Sequence, residues 1–195
     1  MSAIFLSASV PTKGRLGYET ADSYLIREAV SAFVEVVLGR RLLVWGGQPG
    51  ITPMIWAAAE SLGVGYSENV RLFQSRYFED RFPEDNLKYK NVTLVDAIPD
   101  DKDASLARMR DEMLSSEQFE AAVFIGGMEG VLLEFELFRT RWPDARVVAL
   151  PSPGGTAREL FDKLGLPDEL EHALDYSAWL YELLEIGSAE PRRGT

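Results

Sequence analysis

The feature that most constrains this chain is a repeated unit, in which a short apolar run ends in Ser or Gly and passes into a stretch with helical spacing. Ile4 to Leu6 leads into Ser7-Ala-Ser9, and Arg41 to Trp45 leads into Gly46-Gly47. Unbroken apolar runs of this kind suit strands buried on both faces. Between the two lie Ile26, Ala29, Val30, Phe33, Val34 and Val37, which recur every three or four residues and so share one helix face. The unit then recurs. Thr52 is placed to cap a helix whose first residue is Pro53, where the missing N–H costs nothing, and Gly63 is placed to end it. Strands are expected near 69–74, at 91–95, at 121–125 and at 146–150.

Helices are expected at 103–115, carried by Leu106, Met109 and Met113, and from about Glu129. Another opens at a Thr156-Ala-Arg-Glu159 capping box and stops at Gly165, and a last one spans 175–186. The aromatic and charged stretch 75–90 reads as an irregular insert. Strands that alternate with helices imply βαβ crossovers, which are right-handed and place helices on both faces of a mostly parallel sheet. The fold class is therefore α/β, a Rossmann-like doubly wound domain. No repeat of the residues themselves and no linker divides the chain, so one domain is expected over 1–187, with a flexible polar tail at 188–195.

Composition narrows the chemistry. The chain has no Cys and a single His172, which excludes disulfides, thiolate sites and multi-histidine zinc sites, so no metal and no cofactor is expected. A net charge of -11 opposes the phosphate backbone of nucleic acid and anionic lipid. The N-terminal apolar run has no basic residues before it, and no stretch reaches the roughly 18 apolar residues of a membrane span. A cytoplasmic location without nucleic acid or membrane partners is expected.

In a sheet of this class the ligand sits beyond the C-terminal strand ends. Gly46-Gly-Gln-Pro-Gly-Ile-Thr-Pro53 is one such strand-to-helix turn, in which the glycines Gly46 and Gly47 beside Gln48 allow close backbone approach and Thr52 offers a hydroxyl. Gly126-Gly-Met-Glu-Gly130 is a second, bringing Gly126, Gly127, Met128, Glu129 and Gly130 to the same end of the sheet. Neither contains the Lys-Ser/Thr pair of a nucleotide P-loop or the GxGxxG dinucleotide pattern. Backbone N–H groups of the two turns, Gly127 included, are expected to face a phosphate.

Glu134 shares a helix face with Gly130, Val131, Leu137 and Phe138. A carboxylate there needs a partner, such as a ligand hydroxyl, an Arg or backbone N–H groups, because unpaired burial is costly. Ser7 and Ser9 follow the first strand and offer donors to phosphate or sugar; Ser152, Gly154 and Gly155 follow the last in the same way. Arg76 to Phe82 offers cations and rings for a base or, equally, solvated charges over buried aromatics.

Leu6-Ser-Ala-Ser-Val-Pro11, Gly46 to Pro53 and Phe124-Ile-Gly-Gly-Met-Glu-Gly130 together resemble the SLOG superfamily over roughly residues 3–165. The resemblance implies a Rossmann-like sensor of nucleotide-derived signals in bacterial conflict or defence systems, including cyclic ADP-ribose-type molecules made by TIR-domain enzymes. A homo-oligomer and an effector protein come with that implication. The superfamily also contains the LOG phosphoribohydrolases, whose motif is Gly-Gly-x-Gly-Thr-x-x-Glu. Gly126, Gly127, Gly130 and Glu134 match it, but Met128 and Glu129 fill a one-residue gap and Val131 replaces Thr. The phosphate-holding hydroxyl is thereby lost, and Arg76 and Arg81 are the candidates for that family's catalytic Arg. Three readings follow: a nucleotide sensor, a nucleotide N-glycosidase in which Glu134 is catalytic, and an interaction domain with a vestigial pocket.

Overall fold

The computed structural model describes residues 2–62, 69–82, 84, 86 and 90–193, and all six expected strands join one sheet. They are β1 (Ala3–Ser9), β2 (Leu42–Trp45), β3 (Val70–Ser75), β4 (Asn91–Val95), β5 (Phe119–Gly126) and β6 (Arg146–Leu150). Every pairing is parallel, in the order β4-β3-β2-β1-β5-β6. Strand β1 is longer than its apolar run because Ser7, Ala8 and Ser9 continue to pair with Phe124, Ile125 and Gly126.

The helices are α1 (Ser23–Val37), α2 (Thr52–Ser61), α3 (Lys102–Ser115), α4 (Glu129–Arg141), α5 (Thr156–Leu164) and α6 (Tyr176–Leu183). Helix α1 packs on α2 and α6, while α4 packs on α3 and α5, so two helical layers flank the sheet. The expected face of α1 is buried, and Asp22 caps it by accepting from the Tyr24 and Leu25 N–H groups. Among the described residues, no helix is long and apolar enough to cross a membrane.

Two expected caps take another form. Thr52 is the first residue of α2, and its hydroxyl donates to the Gln48 carbonyl. Thr156 likewise lies inside α5, after an N-cap at Gly155, and donates to the Met128 carbonyl. Each hydroxyl thus ties its helix to a neighbouring turn. Gly165 ends α5 in the left-handed region at φ 63°, as its position predicts, whereas Gly63 lies outside the described residues. Part of the insert is a 3-10 segment, Arg76–Arg81, kinked at Phe78.

The packing that positions the site is aromatic. Phe138 of α4 stacks on Phe5 of β1 at 5.8 Å, and Phe135 meets Phe124 of β5 edge-on at 5.7 Å. Burying such rings contributes about 1.5–3 kcal/mol each and holds α4 over the β1–β5 pair. At the opposite end of the sheet, Arg41 bridges Glu120 and Glu190, both at 2.5 Å, and Arg192 donates to the Glu35 and Leu38 carbonyls. The polar segment after Ile186 therefore meets the α1–β2 connection at these atoms.

Candidate functional site

Strand order reverses at β1: successive crossovers run outward through β2, β3 and β4, and the chain then returns to place β5 on the other side of β1. Connections that diverge from such a switch point leave a crevice at the C-terminal strand ends. Here it holds a cavity of about 420 Å³, within the range that takes a small-molecule ligand. Its walls come from Ser9 at the end of β1, from Gly46, Gly47 and Gln48 after β2, from the end of β3 and the 3-10 segment, and from α3 and α4.

Glu134 lies on this wall, and its partners are identified by geometry. The Ser7 hydroxyl donates to its Oε2 at 2.6 Å, and Arg110 Nε donates to its Oε1 at 3.1 Å. The Arg110 and Glu134 side chains are only 12% and 16% exposed. Ser7 is buried and reaches the site through Glu134. Of the partners that the sequence leaves open for this carboxylate, an Arg is present, and a hydroxyl from β1 joins it. Arg110 itself was not among the expected site residues. It stands four residues after Leu106 and three before Met113, so a cation in the apolar stripe of α3 was the signal that could have found it. Gly130 gives it room, since a Cβ there would stand 3.1 Å from Arg110 Nη2.

The two glycine turns play different parts. Gly46, Gly47 and Gln48 line the cavity, while Thr52 is buried beneath them and holds the turn through Gln48. The Gln48 side chain also accepts the Gly50 N–H at 2.9 Å. In the second turn Met128 and Gly130 line the cavity, but Gly126 and Gly127 are not among its lining residues. The Gly127 N–H donates to the Ser9 carbonyl at 2.9 Å, and its own carbonyl accepts from the Thr156 N–H at 3.2 Å. The expectation that this N–H faces a phosphate is therefore corrected: β1 extends far enough to claim it. The role of the turn is to join β1, β5 and α5.

Glu129 also lies off the cavity wall, in an exposed pair with Arg15, whose Nη2 stands 2.7 Å from its Oε2. The hydrogen bond from Arg15, helped by the backbone N–H groups of Glu129 and Leu16, lowers the carboxyl from 4.5 to about 2. Because the folded value lies below the ordinary one, the pair's stabilisation is complete above pH 4.5 and is lost as pH falls through about 2. In an NMR titration Glu129 should change near pH 2, and Arg15→Met should move that midpoint up toward 4.5. A midpoint near 4.5 in the unaltered protein would show that the pair does not form in solution.

The remaining cavity residues give the site its sign. Among the described residues, Arg15, Arg81, Lys102 and Arg110 line it, with Glu134 as the one lining carboxylate. Phe78 and Phe82 line it too, so the rings and one cation of the aromatic stretch do reach the crevice. Arg76 does not, and is paired with Glu79 and Asp96. Ser152 is engaged with the Ala173 carbonyl and the Tyr176 hydroxyl, and Gly154 and Gly155 pack on Thr20 and Gly126 away from the cavity. Among the described residues, no group of three or more His, Cys, Asp or Glu side chains could hold a metal ion.

Comparison with known families finds one model, described as the SLOG cluster3 family, that matches residues 17–184. No curated protein matches the chain.

Proposed function

Because the chain belongs to the SLOG cluster3 family, we propose that it binds a nucleotide-derived signal molecule, of the cyclic ADP-ribose kind or a related dinucleotide, in the cavity at the β1–β5 crevice. Family membership fits a nucleotide-related function in the broad sense. The observation that carries the reading is charge: among the described residues, Arg15, Arg81, Lys102 and Arg110 line the cavity of a chain whose net charge is -11, with Glu134 as the lining carboxylate and Glu129 paired to Arg15 outside it. A wall enriched in cations favours an anion there, on a molecule whose net charge otherwise repels one. Lys102 and Arg110 are placed to meet phosphate, and Glu134 retains lone pairs with which to accept from a ribose hydroxyl. In this reading the protein is a cytoplasmic sensor in a bacterial conflict or defence system, working as a homo-oligomer with an effector protein. Leu133 and Leu137, exposed on α4 beside the site, supply apolar surface for such assembly.

A ligand at 100 times its dissociation constant adds about 2.7 kcal/mol, which raises the melting temperature of a domain this size by about 5–10 °C. A thermal-shift panel of cyclic ADP-ribose isomers, ADP-ribose and dinucleotides should show that rise for at least one compound. No response across the panel would contradict the reading.

One observation favours a second reading, a nucleoside-monophosphate phosphoribohydrolase: Glu134 and Arg81 both border the cavity. Against it stands Val131, buried at the position where the LOG motif carries its hydroxyl. Incubation with AMP should therefore release no adenine above the uncatalysed background. Release that disappears in Glu134→Gln would put the hydrolase in place of the sensor.

A further inference from the structure

The β3 wall of the cavity holds an amide that the ion-pair chemistry leaves unused. Gln74 lines the cavity and is only 4% exposed, so the cavity is the open space its head group meets. Its Oε1 accepts from Asn86 Nδ2 at 2.5 Å, and Asn86 is itself 6% exposed. With the carbonyl end held in this way, the Nε2 end is left without a partner among the described residues. It points at the second turn residue after β2, where a Cβ on Gly47 would stand 2.6 Å away. Gly47, at φ +63°, thus leaves the amide its room.

Two buried amides are an expensive filling for the end of a strand. The Asn86 Oδ1 atom has no partner among the described residues, and an unsatisfied buried acceptor of this kind calls for an explanation. Around the cavity the chemistry is divided. Arg110 on α3 and Glu134 on α4 carry the largely buried charge, with Lys102 exposed at the start of α3, whereas the β3 side presents Gln74 with the rings of Phe78 and Phe82, and Arg81 lies at the exposed rim. One side suits sugar and phosphate. The other suits a planar heterocycle with polar atoms on its edge.

We propose that Gln74 reads the base of the ligand. Its Nε2–H donates to a ring nitrogen or carbonyl oxygen on the edge of a heterocycle lying against Phe78 and Phe82, and Asn86 is the positioning residue that fixes the direction of the amide. The inference rests on the nucleotide reading above and adds to it that the base, and not only the ribose phosphate, is recognised. Recognition follows from burial, since a ligand lacking the acceptor would shut Gln74 Nε2 away from water unpaired.

AMP carries adenine where ribose 5-phosphate carries an anomeric hydroxyl, so calorimetric titration with both separates the base from the ribose phosphate part of the site. The wild-type protein should bind AMP more tightly. In Gln74→Leu the AMP affinity should fall about tenfold, the size expected for one lost hydrogen bond in a buried site, while ribose 5-phosphate binding is unchanged. Asn86→Leu should move AMP affinity in the same direction with the same indifference to ribose 5-phosphate, a split that a purely structural role would not produce. Gln74→Met serves if Gln74→Leu does not fold, and the wild-type ratio of affinities needs no variant at all. Equal wild-type affinity for the two ligands would overturn base reading alone, as would folded Gln74 variants that keep the wild-type ratio. Wild-type protein that binds neither ligand would overturn base reading at Gln74, and that result together with a silent thermal-shift panel would overturn the nucleotide reading as well.

Discussion

Gly154→Ala is expected to cost about 3 kcal/mol or more, placing it among the most damaging single substitutions in the chain. Gly154 has φ +72°, where any side chain adds strain, but the larger cost is positional. A Cβ there would run into the carbonyl of Thr20, with the carbonyl carbon only 2.5 Å away. That neighbour is backbone and cannot turn aside. Nor can the Thr20 segment retreat, because the next residues are tied to the same loop, with the Asp22 N–H donating to the Pro153 carbonyl at 3.0 Å. The clash therefore reaches the cap of α1. Gly14→Ala separates the two contributions, since Gly14 also has positive φ, at +83°, with nothing within 4 Å of its would-be Cβ. It should cost only about 1 kcal/mol. Urea denaturation of both variants would show the difference as a shift in midpoint at constant slope. Equal costs would mean that the β6–α5 loop is not packed as described.

The second large effect belongs to the Arg110–Glu134 pair. Arg110→Leu leaves the Glu134 carboxylate largely buried with the Ser7 hydroxyl as its remaining partner, and breaking such a pair from one side costs about 3–5 kcal/mol when burial is complete. With the pair slightly exposed, about 2–3 kcal/mol is expected, and Glu134→Leu should cost a similar amount. The double variant should recover most of the loss, because neither charge is then left uncompensated. Ligand affinity should behave differently and fall about 100-fold in all three proteins, since the charges themselves make the site. Stabilities that simply add in the double variant would show that the two side chains are not coupled.

How far the fold was legible follows from where signals compete. Strands β4 and β6 were found with their bounds intact, because each is a short β-prone run flanked by turn residues. Strand β1 was read short: Ser7 and Ser9 have little strand character by themselves and are extended only by pairing with β5. That extension also decided the fate of Gly127, whose N–H was expected at a ligand and is taken by the Ser9 carbonyl. Local sequence shows that a glycine turn is present, but not which acceptor lies opposite it. Glu134 was legible because a carboxylate on an apolar face demands a partner, whereas Arg110, in a helix rich in charge, looks like a solvated cation until α4 is set against it. Gln74 and Asn86 gave no signal at all, since amides near a strand end are ordinary until burial is known.

The central claim is that the cavity at the β1–β5 crevice takes a phosphate-bearing nucleotide ligand, and its most direct test is mass spectrometry of what the protein retains. The purified protein and the Arg110→Leu/Glu134→Leu double variant, each incubated with the small-molecule fraction of a cell extract, would be washed and denatured, and the released compounds compared. The account predicts a nucleotide enriched on the unaltered protein and missing from the folded double variant. The same compounds on both proteins, or no nucleotide on either, would contradict it.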